Sequence, residues 1–224
     1  MSARDEILSS IRRSLRVTGG EGPRKAAVAA RLSGAPRGVV PARGQVSGQE
    51  RIGLFKKMAE GAFASVAVVQ SPSDVPGEAA RWLRDNNLPA TLRMGEDKRL
   101  ADMPWDKTAL ELAKGKSDGR DLNAVSHAFS GVAESGTLIM TSGPENPSTL
   151  NFLPDNHIVV LSAADLEGDY ESVFDRLRAK YGKGEMPRTV NMITGPSRSA
   201  DIAQTMLLGA HGPRKLHIVI VDAA

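Results

Sequence analysis

Apolar residues recur at helical spacing in five stretches of the chain, and each stretch predicts an amphipathic helix. These stretches are residues 2–16, 49–61, 75–86, 168–181 and 200–208. Short aliphatic runs lie between and after them, and each run predicts a buried strand. The runs are residues 65–70, 88–94, 109–113, 122–128, 136–141, 157–161, 188–193 and 215–221. Because strands alternate with helices, the chain is predicted to fold around a largely parallel sheet with right-handed crossovers.

Residues 18–47 interrupt this pattern. They are rich in Gly, Pro, Arg and Ala, a composition that is typical of an extended linker without a core. A long structureless connection is unusual inside a compact domain, so a domain boundary is predicted near residue 45. The predicted organisation is an N-terminal amphipathic helix at 1–17, a flexible basic linker at 18–47 and an α/β domain at 48–224. The N-terminal helix packs either on its own domain or on a neighbouring subunit.

Charge is distributed unevenly along the chain. Residues 1–57 hold 12 Lys/Arg and 4 Asp/Glu, whereas the remainder holds 17 and 22. The basic excess therefore belongs to the N-terminal quarter and is typical of a solvated, flexible arm. Basic residues interleaved with aromatic ones, as nucleic-acid binding requires, are not seen in the predicted folded part. No nucleic-acid partner is predicted.

Composition narrows the classes of protein and the compartment. Hydrophobic residues make up 41% of the chain but aromatic residues only 4%, so the predicted core is aliphatic. The absence of cysteine excludes disulfides, thiolate zinc sites and cysteine-ligated iron–sulfur clusters on this chain. No apolar run is long enough to predict a membrane span, and residues 1–20 lack the apolar core of a signal peptide. Asp5 and Glu6 argue against a transit peptide, so the predicted location is the cytoplasm.

Small and polar residues gather at both ends of the apolar run 138–140, within residues 126–151. Small residues at the ends of a buried strand indicate backbone that approaches another group closely, and we interpret this group as a ligand. Glu134 is then a candidate nucleophile, base or ligand anchor. Alternatively, it is a strand-end acid that accepts backbone N–H bonds. The candidate ligand-binding residues on the strand and its far end are Thr137, Thr141, Ser142 and Gly143.

Residues 194–199 form a second candidate site, because they are predicted to join a strand to the start of a helix. The first turn of a helix has free N–H groups and partial positive charge, which favour an anion. The candidate anion-binding residues, for a phosphate or a carboxylate, are Gly195, Ser197, Arg198 and Ser199. Alternatively, Ser199 is only the N-cap and Arg198 pairs with a surface acid. The full dinucleotide-binding fingerprint is missing, so a nicotinamide enzyme is not predicted.

The histidines offer weaker candidates. His127 lies at the end of a predicted strand and His211 lies in a turn, and either is a candidate acid or base or simply structural. His157 and His217 lie in predicted strands and are interpreted as structural. The four histidines show no spacing typical of a metal site, so no metal is predicted.

Taken together, four motifs resemble the lactate utilisation protein C family, whose members are also called LUD-domain proteins. The motifs are AESGT at 133–137, TSG at 141–143, TGPSRSADI at 194–202 and GAHGP at 209–213. The resemblance extends from about residue 48 to the C-terminus. Ser135 stands where the family pattern leads us to expect Thr, and Ser199 stands where Thr is common. Both departures keep a small hydroxyl residue.

The resemblance implies a fold similar to the sugar-phosphate isomerase and coenzyme A transferase group, a three-layer α/β/α with a mainly parallel sheet. It also implies two iron–sulfur partner proteins in a set that oxidises L-lactate to pyruvate. No cofactor is then expected on this chain, and any cluster lies on a partner. The alternative is a transferase-like enzyme, in which Glu134 attacks an acyl-thioester and the 194–199 loop holds a phosphate. In a mainly parallel sheet, residues 126–151, the 194–199 loop and His211 are predicted to meet at one edge.

Overall fold

The computed structural model describes residues 2–199 and 207–223, which divide into two compact units between Val39 and Val40. The first unit contains helices α1 (Ala3–Leu15) and α2 (Gly22–Gly34). Helix α1 confirms the first predicted helix, and it begins with a capping box in which Ser2 and Asp5 bond each other's backbone N–H. Neither of these described helices buries a residue.

Helix α2 corrects the prediction of an extended linker over residues 18–47. Gly and Pro at its ends suggested a loop, but the residues between them are mainly Ala, Arg and Lys, which favour helix. Pro23 lies in the first turn, where its missing N–H costs no hydrogen bond. The boundary between the units also lies earlier than predicted.

The second unit contains the remaining elements. Its helices are α3 (Gly48–Gly61), α4 (Val75–Asp85), α5 (Lys98–Ala101) and α6 (Tyr170–Tyr181). Its strands are β1 (Ser65–Val69), β2 (Thr91–Met94), β3 (Glu111–Lys114), β4 (Asn123–His127), β5 (Ser130–Val132), β6 (Thr137–Thr141), β7 (Asn156–Ser162), β8 (Leu166–Glu167), β9 (Val190–Ile193), β10 (Arg198–Ser199), β11 (Leu207–Leu208) and β12 (Lys215–Val221).

A six-stranded parallel sheet forms the centre of this unit, with the strand order β1-β12-β7-β4-β2-β3. Helix α3 packs on one face through Phe55 and Ala59, and helix α4 packs on the other through Val75 and Leu83. Strands buried on both faces read as continuous apolar runs, as Ile218–Ile220 does in β12. The predicted fold class, α/β with helices on both sides of a mainly parallel sheet, is confirmed.

A second sheet, with the order β8-β5-β6-β9, carries the segment that the sequence singled out. Strand β6 pairs antiparallel with both β5 and β9. Its side chains alternate: Leu138 and Met140 join the core cluster that contains α3, whereas Ile139 packs with α6. Strand β9 was predicted as part of the mainly parallel sheet, and it is instead the antiparallel edge of this small one.

Only residues 207 and 208 of the predicted helix over residues 200–208 are described, and they are not helical. Residues 200–206 lie outside the described residues. Leu207–Leu208 pair antiparallel with Arg198–Ser199 as two short strands. Ser199 is a strand residue, and its predicted role in anion binding stays a prediction. No described helix has both the length and the apolar character that crossing a membrane requires.

Candidate functional site

The two polar ends of strand β6 lie in different parts of the molecule. Thr141, at its carboxyl end, lines a cavity together with His127, which ends strand β4. Thr137, at the amino end, contacts Thr194 and helix α6 instead. The sequence placed these residues in one site, and the structure separates them along the length of the strand.

The cavity beside Thr141 lies where strands β2 and β4 end, and we call it the carboxyl-edge cleft. It has a volume of about 420 Å³ and is lined by side chains that include Asp97, Arg99, His127, Thr141, Asn146 and Lys180. In α/β proteins, ligands bind outside the carboxyl ends of parallel strands. The cleft therefore has the location expected of a ligand site in this fold.

His127 is a neutral imidazole with one nitrogen already engaged. The ring is 7% exposed, and its Nδ1 lies 2.8 Å from the carbonyl oxygen of Ala128. A carbonyl oxygen only accepts hydrogen bonds, so Nδ1 carries the proton and Nε2 keeps a lone pair. Burial lowers the pKa of His127, and the nearby Arg99 cation lowers it further. Nε2 is thus a hydrogen-bond acceptor or a base at neutral pH.

Asp97 and Arg99 form an ion pair at the rim of the same cleft. Arg99 Nη2 lies 2.6 Å from Asp97 Oδ2, and Nε lies 3.0 Å from Oδ1. Burial favours a raised pKa for Asp97, but the hydrogen bonds and the charge of Arg99 outweigh it and hold that pKa below its ordinary value. Lys180 adds a cation that lies 5.1 Å from the ring centre of Phe129. Glu96 and Glu145 also line the cleft, so it presents both cations and carboxylates beside an uncharged histidine.

Asn146 adds an acceptor to the cleft. Its side chain is 5% exposed, and Nδ2 donates to the carbonyl of Thr141 at 3.3 Å. Its Oδ1 is buried and has no hydrogen-bond partner among the described residues. Such atoms are rare in folded proteins and require a partner. Oδ1 of Asn146 therefore favours a ligand or water that donates a hydrogen bond.

Ser142 and Gly143, both predicted to bind a ligand, form the turn that follows β6. Ser142 N donates to the carbonyl of Thr189, and Thr189 N donates back to Ser142 Oγ at 2.9 Å. Gly143 exchanges backbone hydrogen bonds with Asn146. Their polar groups thus tie β6 to the start of β9, and of the four predicted ligand residues only Thr141 lines the cleft.

Glu134 lies in the turn between β5 and β6, and it does not share a cavity with Gly195 or Arg198. It is 3% exposed, and its backbone N–H donates to the carbonyl of Gly168 at 3.1 Å. Oε2 lies 3.8 Å from Arg43 Nε, and it has no hydrogen-bond partner among the described residues. The hairpin that carries Glu134 nevertheless contacts the 194–199 loop, because Thr137 Oγ1 lies 2.7 Å from Thr194 Oγ1. The predicted meeting of Glu134, this loop and His211 at one edge stays a prediction.

Thr137 lies at the centre of a cluster of hydroxyl groups. Its Oγ1 lies 2.7 Å from Ser135 Oγ, 2.9 Å from the phenol oxygen of Tyr170 and 2.7 Å from Thr194 Oγ1. Thr137 is fully buried, so these bonds replace water and not a ligand. The cluster joins the β5–β6 hairpin to α6 and to the residue after β9.

Thr137→Val is expected to lower the free energy of unfolding by about 1–2 kcal/mol, because it removes a buried hydroxyl that hydrogen-bonds Ser135, Tyr170 and Thr194. Val fills nearly the same volume and favours strand equally, so packing is retained. Urea denaturation measures the change. Thr141→Val on the half-buried end of the same strand is the matched control and should cost less. Equal stability of Thr137→Val and the wild type would show that the cluster is energetically neutral.

Two glycines of the predicted motifs hold the backbone against helix α3 and not against a ligand. Gly136 and Gly195 have φ of +66° and +73°. A Cβ added to Gly136 would lie 2.3 Å from Ala59 N, and one added to Gly195 would lie 2.0 Å from the carbonyl oxygen of Ala62. The sequence correctly indicated close backbone approach, but the group approached is the end of α3.

The 194–199 loop and His211 do come together, around a separate cavity of about 250 Å³ that we call the amino-edge cavity. Ser197 N donates to the carbonyl of Pro213 at 2.8 Å, and His211 N donates to Ser197 Oγ at 3.3 Å. Arg198 lines the cavity and lies 5.1 Å over the ring of Phe63. His157 and Leu216, near the beginnings of β7 and β12, also line it, so this cavity lies at the edge opposite the carboxyl-edge cleft.

Sequence reasoning missed several residues of both cavities. Asp97 and Arg99 follow strand β2 in the charged run EDKR, which directly succeeds a predicted parallel strand. That position was a usable signal, since loops after parallel strands form ligand sites. Asn151 and His157 carried no signal, because one lies in a turn and the other in an apolar strand. Within the described part of the chain, no group of three or more metal-ligating side chains is found.

The fold and its two polar cavities define an α/β protein with a ligand-binding architecture. Residues 123–221 match the model of the LUD domain. The resemblance predicted from the motifs is therefore confirmed over these residues. The match includes all the amino-edge cavity and the part of the carboxyl-edge cleft from His127 onward.

Relatives and a solved structure agree with this assignment. Lactate utilization protein C of Halalkalibacterium halodurans is 34% identical over 120 residues, which cover 53% of this chain and 52% of that protein. The protein of the same name from Geobacillus thermodenitrificans is 30% identical and covers 54% of each chain. The chain thus spans about half the length of the curated relatives it matches. The crystal structure of a DUF162 family protein from Deinococcus radiodurans superposes with a TM-score of 0.59 at 17% identity, covers 79% of this chain and 99% of its own, and shows the shared fold.

Proposed function

We propose that this chain is a component of a lactate utilisation system and that its carboxyl-edge cleft binds a small 2-hydroxy acid such as L-lactate. The names of the relatives support the pathway. The observation that carries the binding site is the position of His127, with its free lone pair, beside the cations Arg99 and Lys180.

The chemistry of a 2-hydroxy acid suits these side chains. Its carboxylate is favoured by the guanidinium of Arg99 and the ammonium of Lys180. Its hydroxyl is a donor, and the cleft offers two acceptors, His127 Nε2 and Asn146 Oδ1. A 2-oxo acid has no such donor. The cleft is therefore expected to prefer lactate to pyruvate, because pyruvate leaves the buried acceptor of Asn146 unpaired.

Oxidation of L-lactate to pyruvate releases two electrons, which an acceptor must take up. The chain has no cysteine to hold an iron–sulfur cluster. We place the iron–sulfur clusters on two partner proteins. This chain is then a cytoplasmic member of the same set, and it has no cofactor of its own. The alternative, a transferase-like enzyme using Glu134, has less support, because Glu134 does not line the cavity that Gly195 and Arg198 line.

Deletion of the gene in the organism that encodes it is expected to abolish growth on L-lactate and to leave growth on pyruvate unchanged. The missing step lies before pyruvate, so pyruvate bypasses it. Affinity purification of the tagged full-length chain should recover iron–sulfur proteins. Normal growth of the deletion strain on lactate would overturn the proposed pathway.

Binding is tested by thermal shift and calorimetry. L-lactate is expected to raise the Tm of the wild type, since a ligand of the native state stabilises it by mass action. Arg99→Gln is expected to weaken lactate binding by about tenfold or more, the usual effect of losing a charged hydrogen bond. Arg120→Gln is the matched control, because Arg120 pairs with Asp118 two residues away, as Arg99 pairs with Asp97, but outside the cleft. Equal lactate affinity in both variants would contradict the assignment.

A further inference from the structure

The amino-edge cavity contains polar atoms that the protein itself does not satisfy. Asn151 is 1% exposed, and neither its Nδ2 nor its Oδ1 has a hydrogen-bond partner among the described residues. His157 is fully buried, and its Nδ1 is likewise unpaired. Both side chains line the cavity. Three unpaired buried atoms within one cavity form a cluster that folding alone does not explain.

These atoms are held in place by well-ordered elements. Asn151 ends the 3-10 helix Ser148–Asn151, and His157 is the second residue of strand β7 in the centre of the main sheet. His157 Nε2 lies 3.0 Å from Ser126 Oγ on neighbouring strand β4, which fixes the ring. Each unpaired buried atom costs about 1–3 kcal/mol. This cost is offset when water or a ligand in the cavity bonds these atoms.

The chemistry of that partner follows from Asn151. A carboxamide presents a donor and an acceptor side by side in one plane. A carboxylate would satisfy Nδ2 but leave Oδ1 unpaired, whereas an amide group satisfies both atoms at once. His157 Nδ1 adds a third polar contact, and burial of the ring lowers its pKa to about 3, so the ring is uncharged at neutral pH.

Size and the remaining walls narrow the ligand further. The volume of about 250 Å³ has room for a single ring. Phe152, Pro196 and Leu216 supply apolar walls, which favour a flat ring. Arg198 and His211 also line the cavity and are exposed, so they favour an anionic substituent at its mouth.

We propose that the amino-edge cavity binds a small, flat, single-ring cyclic amide that carries an acidic substituent, with Asn151 pairing the amide and Arg198 the acid. The site is distinct from the carboxyl-edge cleft, and it does not depend on the role proposed for that cleft.

Orotate, uracil and benzoate are the probes, with binding to the full chain measured by calorimetry. Orotate has both the cyclic amide and the carboxylate, uracil lacks the carboxylate, and benzoate lacks the amide. Orotate is expected to bind at least about tenfold more tightly than either of the others, since each of them loses one of the two recognised groups. Failure of orotate and uracil to bind overturns the proposal, as does benzoate binding as tightly as orotate.

Asn151→Leu separates a ligand-binding role from a structural one. It keeps the number and branching of the side-chain heavy atoms and removes the two unpaired polar atoms, so the Tm of the free protein should stay unchanged or rise while orotate binding is lost. Asn156→Leu is the matched control. Asn156 Nδ2 donates to Leu122 O and Asn123 Oδ1, so this change should lower the Tm by several degrees. A loss of Tm in Asn151→Leu similar to that in Asn156→Leu would overturn the proposal.

Arg198→Gln tests the exposed side of the cavity, where a substitution is not expected to destabilise the fold. It is expected to weaken orotate binding by about tenfold and to leave uracil binding unchanged, because only orotate presents a carboxylate. An unchanged affinity for orotate would remove Arg198 from the site and overturn the assignment of the acidic group.

Discussion

Lowering the pH from 7.5 to 5 is expected to reduce the free energy of unfolding by about 4 kcal/mol, mainly through His157 and His217. Burial lowers the pKa of His157 to about 3 and is also the main reason that the pKa of His217 falls to about 4. In the unfolded chain both titrate near 6.5. Below pH 6.5 these two histidines bind protons in the unfolded state but not in the folded state, so protonation favours unfolding. Their contribution to the free energy of unfolding is therefore fully present above pH 6.5 and is lost as the pH falls. Each group contributes about 1.4 kcal/mol per pH unit in this window.

The surroundings of His217 explain why its charged form is disfavoured although an acid lies nearby. Its Nδ1 lies 2.8 Å from Ser65 Oγ, its Nε2 lies 3.1 Å from Glu78 Oε1, and its ring stacks on Trp82. Glu78 raises the pKa of His217, but burial lowers it by more. Glu78 also forms an ion pair with Arg81 at 2.5 Å, so the carboxylate of Glu78 interacts with both Arg81 and His217.

Urea unfolding at a series of pH values measures this loss. His217→Gln is expected to reduce the slope between pH 6.5 and 5 by about 1.4 kcal/mol per pH unit, whatever its effect on stability at pH 7.5. His211→Gln, at an exposed position, is the control. Stability that stays constant between pH 7.5 and 5 would contradict the burial of both rings.

Gly136→Ala is expected to destabilise the protein by about 3 kcal/mol or more. The residue has φ of +66°, which strains any side chain, and the new Cβ would lie 2.3 Å from the backbone nitrogen of Ala59. Helix α3 or the β5–β6 turn must shift to relieve the overlap, and both pack in the same core cluster through Phe55 and Leu138. Chemical denaturation gives the difference in the free energy of unfolding.

Gly184→Ala is the matched control for this prediction. Gly184 also has a positive φ, of +84°, but no described heavy atom lies within 4 Å of an added Cβ. Its cost should be the conformational strain alone, about 1 kcal/mol. Equal costs for the two variants would mean that the approach of Gly136 to α3 is looser than the structure shows.

The elements of the parallel sheet were predictable from the sequence because their signals are local. Strand β12, for example, is a continuous apolar run that matches its predicted bounds. The sheet to which β9 belongs was not predictable in this way, since the pairing of β9 with β6 depends on contacts between residues that are distant in the sequence. Strand β5 was missed because three residues, Ser-Gly-Val, carry no periodic signal.

The missed strand β5 and the unpredicted pairing of β9 explain why Thr137 and Thr141 were wrongly placed in one site. An antiparallel β6 points its amino end, with Thr137, away from the end where strand β4 delivers His127. The residues at its two ends therefore reach different neighbours. His127 was correctly placed at a strand end that lines a cavity, whereas Glu134 is buried beside Arg43. The sequence could not indicate Asn151 and His157 as site residues, because they are singled out by buried atoms without hydrogen-bond partners among the described residues, and only the folded structure shows this.

The histidine side chains give the most direct test of where lactate binds. The chain has four histidines, and each lies in a different setting: His127 in the carboxyl-edge cleft, His157 and His211 at the amino-edge cavity, and His217 beside Trp82. Titration with L-lactate, followed by the NMR signals of the imidazole rings, is expected to shift the signals of His127 and leave the other three in place. Shifts at His157 or His211 with His127 unmoved, or no shift of any ring at saturating lactate, would contradict the proposed site.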